Sequence, residues 1–144
     1  MTKEMETNLI SNNNIQYFSD VTYYCVPPNN KKYRLFVLMS FDKEKYYSTL
    51  CNLSLICNEN IETFYIILDF LKHKYNFSPI NITIDFSKAE YIAYKKVFPN
   101  IRIIPCFYHY CQNITRKLPE LRDDNKVIKK LAKELFTNLK YYAL

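Results

Sequence analysis

Two acidic residues and one short thiol–imidazole cluster are the groups in this chain whose types and spacing suit chemistry. Asp20 lies inside the apolar stretch Ile15–Cys25 (IQYFSDVTYYC), and Asp85 closes the run Ile80–Asp85 (INITID). Carboxylates are hard oxygen ligands for Mg²⁺ or Mn²⁺, and a pair of such ions can activate water and stabilise the leaving oxygen in phosphodiester cleavage. A carboxylate within an apolar strand is unfavourable unless it is paired, ligated or exposed, so Asp20 needs a reason to be there. Asp85 also has a plain reading, since Asp is common where a strand gives way to a helix. Cys106, His109 and Cys111 form a C-x2-H-x-C cluster, which offers at most three local zinc ligands and has no second cluster at finger spacing. The same residues suit a small buried hydrophobe and a hydrogen-bonding histidine at a helix start. A Cys-His nucleophile pair has no evident orienting partner, and His73, on the polar side of a lysine-rich helix, reads as solvated.

The elements that must position these groups follow from periodicity. The β-branched and aromatic content of Ile15–Cys25 predicts a strand with Phe18, Asp20, Thr22 and Tyr24 on one face. Pro27 to Asn30 is a turn. Tyr33–Phe41 (YRLFVLMSF) is nearly all apolar and is expected to be a strand buried on both faces. After a turn at Asp42–Lys45, Tyr46–Cys57 is a third strand, and the short connections predict an antiparallel meander.

The period then changes. Ile61, Phe64, Tyr65, Leu68 and Leu71 recur at helical spacing in Asn60–Tyr75, with Asn60 as N-cap. Ile80–Asp85 is a short strand with Ile80, Ile82 and Ile84 on one face. Ser87 and Glu90 make a capping-box pattern that starts a helix through Ala89, Ile92, Ala93 and Val97, stopping at Pro99. Ile101–Cys106 is the last strand and Phe107–Leu118 a helix. Asp123 or Asp124 caps a final amphipathic helix with Val127, Leu131, Leu135 and Leu139 on one side.

The order β-β-β-α-β-α-β-α-α is that of an α/β, ribonuclease-H-like domain: three antiparallel strands, then parallel α-β units, with C-terminal helices. In that topology the first strand lies beside the fourth, which brings Asp20 near Asp85. A right-handed crossover would bring Cys106 and His109 to the same rim, outside the carboxyl ends of the strands, where open sheets bind ligands.

A chain of 144 residues, 49% hydrophobic, suffices for one domain, and no apolar run approaches bilayer length. No membrane partner is expected. The polar, acid-bearing start (MTKEMETNLISNNN) resembles neither a signal nor a transit peptide, and five irregularly spaced cysteines suit a reducing compartment, so an intracellular protein is expected. The net charge of +6 suits a nucleic-acid partner through counterion release. Sixteen lysines to four arginines, fifteen asparagines and no glycine are the mark of A+T-rich codons, which accounts for part of that charge. Lys31, Lys32, Arg34, Arg102, Arg116 and Lys117 are dispersed in sequence; they can frame a DNA groove or form a solvated face.

The succession F-S-D-V-T at 18 to 22, Y-R-L-F-V-L at 33 to 38, I-T-I-D-F-S-K-A at 82 to 89, V-F-P at 97 to 99 and C-F-Y-H at 106 to 109 resembles the MULE transposase domain of Mutator-like elements. The resemblance covers residues 15 to 118, with 1 to 14 a flexible lead-in and 119 to 144 a C-terminal helix that starts a helical insertion. It implies a DDE transposase core that cuts and joins DNA with Mg²⁺ or Mn²⁺, acting on transposon ends in the nucleus, as a monomer or a homo-oligomer. By position Asp20 matches the first catalytic aspartate, Asp85 the second, and Cys106 with His109 the family's C-x2-H signature. Val21 replaces the usual glycine after the first aspartate. Glu120, Asp123, Asp124 and Glu134 follow the signature, but none has the context of the third acid, so an incomplete core is expected. The alternatives are a non-catalytic DNA-binding or interaction module on the same fold, and a zinc-stabilised adaptor using Cys106, His109 and Cys111.

Overall fold

The computed structural model describes residues 14–23, 32–117, 130 and 134. Alternation in the first three apolar stretches is realised as strands β1 (Ile15–Thr22), β2 (Arg34–Asp42) and β3 (Tyr47–Ile56). They form an antiparallel meander in which Asp20 pairs with Val37 and Phe18 with Met39. The β2–β3 return is built on Asp42. Its Oδ1 accepts from the amides of Glu44 (2.9 Å) and Lys45 (3.1 Å), and its carbonyl accepts from Tyr46 N (2.9 Å). Tyr46 there takes a left-handed backbone, φ 54°, with no glycine in the chain to do so.

Helix α1 (Ile61–Tyr75) starts as the sequence predicts, with Asn60 Oδ1 accepting from Thr63 N at 2.8 Å, and stops at Asn76 in left-handed geometry. Strand β4 (Asn81–Ile84), helix α2 (Lys88–Val97), strand β5 (Arg102–Pro105) and helix α3 (Phe107–Lys117) follow. The sheet order is β3-β2-β1-β4-β5. Strand β1 therefore has β2 antiparallel on one side and β4 parallel on the other, with Tyr17 opposite Ile82 and Phe18 opposite Thr83. The fold is mixed α/β, with five strands and three helices among the described residues.

The chain divides into two compact units, residues 1–104 and 105–144. The core of the first lies on one face of the sheet. Phe64, Leu68 and Leu71 of α1 and Ala93, Tyr94 and Val97 of α2 pack with Tyr17, Phe36, Leu38, Ile82 and Ile84. Edge-to-face ring pairs, Tyr17–Phe77 at 5.1 Å and Phe36–Phe64 at 5.7 Å, fill it. Full burial of each large apolar side chain contributes about 1.5–3 kcal/mol. Strand β2 departs from the expectation of burial on both faces: Phe36, Leu38 and Ser40 are buried, while Met39 is 38% exposed. Both helices of this unit pack against the same side, so apolar residues on the other side gain no cover from them. A β-bulge at Leu38/Met39 leaves Cys51 as the unpaired extra residue of β3, buried in the core.

Tyr24, Cys25, the turn at Pro27 to Asn30 and the lead-in through Asn13 lie outside the described residues, as does the chain from Leu118 apart from Lys130 and Glu134, which are helical and exposed. Among the described residues no helix is long and apolar enough to cross a membrane.

Candidate functional site

Asp20 occupies the exposed side of β1, because the two-residue period that buries Tyr17 and Ser19 turns Phe18 and Asp20 outward. The parallel pairing of Tyr17 with Ile82 and Phe18 with Thr83 runs toward Asp20 in β1 and toward Asp85, the residue that follows β4, so both aspartates lie toward the carboxyl ends of adjacent strands. Gln16 Nε2 donates to Thr83 Oγ1 (3.1 Å) between these strands and helps to hold the register. Each aspartate also caps its own backbone: Asp20 Oδ1 accepts from Val21 N at 2.9 Å, and Asp85 Oδ1 from Phe86 N at 2.6 Å.

Behind this pair is a third carboxyl that the sequence pattern did not single out as functional. Ser87 accepts from Glu90 N (3.3 Å) as the capping box predicts, but the Glu90 carboxyl is buried and accepts a short hydrogen bond from the Ser19 hydroxyl. Burial pushes the Glu90 carboxyl up to about 7; the Ser19 bond lowers it, and the nearby charges of Asp20, Asp85 and Glu59 raise it further. Tyr94 is fully buried close by, its hydroxyl held well above the usual tyrosine range by burial and then by the Glu90 charge. The sequence signal for Glu90 was periodicity. The buried stripe of α2 is Glu90, Ala93, Tyr94 and Val97, shifted from the Ala89, Ile92, Ala93, Val97 stripe read from apolar residues alone.

The same end of β1 carries one cation and one ring. Tyr23 Oη donates to Glu59 Oε1 (2.5 Å), and that oxygen lies 3.0 Å from Arg34 Nε, an ion pair without an aligned hydrogen bond. The Arg34 guanidinium stacks 5.0 Å from the centre of the Tyr23 ring. The Glu59 bond, then burial, raises the Tyr23 hydroxyl above its ordinary value. Among the other basic groups, Lys32 lies 5.0 Å over Tyr33. A cleft of about 360 Å³ lined by Lys72, Pro79, Ile80, Phe98 and Asn100 sits at the opposite, amino end of β4, away from the aspartates.

Cys106, His109 and Cys111 fall in the second unit. Cys106 precedes α3 and its carbonyl accepts from Tyr110 N (3.0 Å), so the segment is helical from the start. At 100° per residue, Cys111 lies roughly 140° around the helix from Cys106 and roughly 200° from His109. His109 and Cys111 therefore lie on different sides of α3. Cys111 is buried, Cys106 is half-buried, and His109 makes an edge contact with Tyr108. The four described cysteines are free thiols. His73 is exposed and pairs with Asp69 at 3.5 Å, in accord with a solvated helix face. Among the described residues no three His, Cys, Asp or Glu side chains are grouped to hold a metal ion.

Asp20 and Asp85 offer only carboxylate oxygens, a donor type that would suit a hard divalent cation, since Mg²⁺ keeps several waters and takes one or two protein carboxylates. The model of the MULE transposase domain matches residues 6–113, well over half of the chain, and the chain belongs to that family. No curated protein matches it. Among solved structures it is similar to Ciona intestinalis endonuclease V in complex with a 24mer DNA containing an inosine followed by a ribo-adenosine. That similarity has 17% identity and a TM-score of 0.38, covering 57% of this chain and 41% of the other. The matched part of the chain thus spans less than half the length of that protein.

Proposed function

We propose that this chain is the ribonuclease-H-like core of a DDE-type transposase in which Asp20 and Asp85 hold Mg²⁺ or Mn²⁺ against DNA. The observation that supports this reading is the parallel pairing of β1 with β4, the two strands whose carboxyl ends carry Asp20 and Asp85, in a chain of the MULE transposase domain family. A bound divalent ion would supply Lewis-acid polarisation of a phosphoryl oxygen and a more acidic water. The chain's own contribution is positional. Two parallel strands fix the carboxylates, the Gln16–Thr83 bond resists slippage between them, and Arg34 offers a positive charge at the same end of the sheet for a DNA phosphate. Transposon-end DNA is the substrate this reading calls for, and the nucleus the compartment.

A second reading is a non-catalytic DNA-binding or interaction module on the same fold. It is favoured by one observation: among the described residues no third acid joins Asp20 and Asp85 in a metal-binding group.

Plasmid nicking by the purified chain with Mn²⁺ tests the first reading against the second. Nicking that disappears in both Asp20→Asn and Asp85→Asn supports the enzyme. A folded protein that binds DNA and nicks none of it, with or without the substitutions, supports the module.

A further inference from the structure

Helix α2 carries a carboxyl where an apolar side chain belongs. Glu90 shares its buried stripe with Ala93, Tyr94 and Val97 and is 1% exposed. An acid in that place is unfavourable unless it is hydrogen-bonded and neutral, or its charge is used. Its position says how it is used. Ser19, whose hydroxyl donates to Glu90, is the residue before Asp20, and Glu90 lies in the first turn of the helix that begins three residues after Asp85. One buried side-chain bond therefore joins the two segments that carry the aspartates.

The groups that act on the Glu90 carboxyl come from every side. Ser19 and Asp20 belong to β1, Asp85 follows β4, Glu59 precedes α1, and Tyr94 lies one turn along α2 itself. The charges among them are all negative. Nothing in this set stabilises an ionised Glu90 except the Ser19 hydroxyl, whereas a cation held by Asp20 and Asp85 would do so.

We propose that Glu90 is a positioning residue for the Asp20–Asp85 pair. It ties β1 to α2 through Ser19 and, when ionised, adds a third negative charge behind the two that face solvent. The inference rests on the reading of the two aspartates as cation ligands. Glu90 itself touches no ligand; it acts through the strand and through its charge. A divalent ion at the pair draws the proton from Glu90, and an ionised Glu90 strengthens the grip on the ion. Cation affinity and proton release are thus reciprocally linked.

Two substitutions separate the tie from the charge. Glu90→Gln keeps the shape and an acceptor for Ser19 but removes the charge. Ser19→Ala keeps the charge and removes the tie. The first readout needs no metal: carbon-13 NMR of the Asp20 and Asp85 carboxyls across a pH titration. In the wild type both resonances respond as Glu90 ionises, and in Glu90→Gln that response is gone. The second readout is Mn²⁺ affinity by calorimetry. Glu90→Gln binds roughly five- to tenfold more weakly at about pH 8, as expected for one missing charge at moderate range, and loses the rise in affinity through neutral pH. Ser19→Ala weakens binding but keeps that rise. Identical carboxyl titrations and identical Mn²⁺ affinities in wild type and Glu90→Gln would overturn the inference while leaving the cation site intact. A Glu90-dependent carboxyl titration in a wild type that binds no Mn²⁺ would uphold the coupling and overturn the cation reading.

Discussion

The rim at Asp20 and Asp85 and the segment Cys106–Cys111 are both groups of ligand-type residues, and the chain treats them in opposite ways. The aspartates are far apart in sequence, yet parallel pairing of β1 with β4 brings them toward the same end of adjacent strands. Cys106, His109 and Cys111 are near neighbours, yet the period of α3 turns Cys111 away from His109. Closeness in sequence is therefore a poor guide to convergence. A sheet register can gather distant residues because it acts on whole strands, while a helix disperses neighbours that are not three or four apart.

The sharpest way to break this comparison is at the aspartates. Asp20→Asn or Asp85→Asn should lower Mn²⁺-dependent nicking about 100-fold or more, beyond what loss of a supporting residue does. Plasmid assays at matched concentration and salt measure it, and full activity in either variant would remove that carboxylate from the site.

Glu90→Gln tests the same region through stability. The folded value of about 7 lies above the ordinary glutamate range. Below that range Glu90 is protonated in both folded and unfolded chains and adds no pH-dependent penalty. As pH rises toward 7 only the unfolded chain ionises, so wild-type stability falls, and above 7 the penalty is complete and constant. The variant lacks it. Urea unfolding should show the balance moving toward Glu90→Gln by about 2–3 kcal/mol between about pH 5 and about pH 8. A constant difference across that range would place an ordinary carboxyl at Glu90.

Ser19→Ala should destabilise the chain by about 1–3 kcal/mol, because it leaves the buried carboxyl without its donor. Chemical denaturation reads this, and a neutral substitution would mean that the contact is incidental. The smallest effect is expected in the other region. Cys106→Ser with His109→Ala should leave nicking within about twofold, and the purified wild type should carry less than about 0.1 zinc per chain. Stoichiometric zinc would make the helical segment a metal site after all and dissolve the contrast.

Much of this arrangement was legible in residue patterns. The meander, the Asn60 cap, the Ser87 cap and the place of β1 beside β4 all follow from local period and strand order, and the structure contains each. Burial of β2 on both faces was read from composition alone and fails at Met39, since composition does not say on which side helices will pack. Glu90 was hidden for another reason. Its spacing from Ser87 satisfied a helix-start rule, and that local explanation masked the fact that it also sits in register with Ala93, Tyr94 and Val97. The contact with Ser19 spans 71 residues and no local pattern contains it.

Tyr46 and Asn76 take left-handed backbone in a chain without glycine. Glycine is the residue with the most conformational freedom to lose, so a chain that lacks it begins folding from a stiffer, lower-entropy ensemble. That advantage exists before any strand or helix forms and favours the folded state throughout the sequence. Tyr46 is where it is partly returned: a bulky side chain held at φ 54° is unfavourable by roughly 1 kcal/mol, and the Asp42 turn must hold it there.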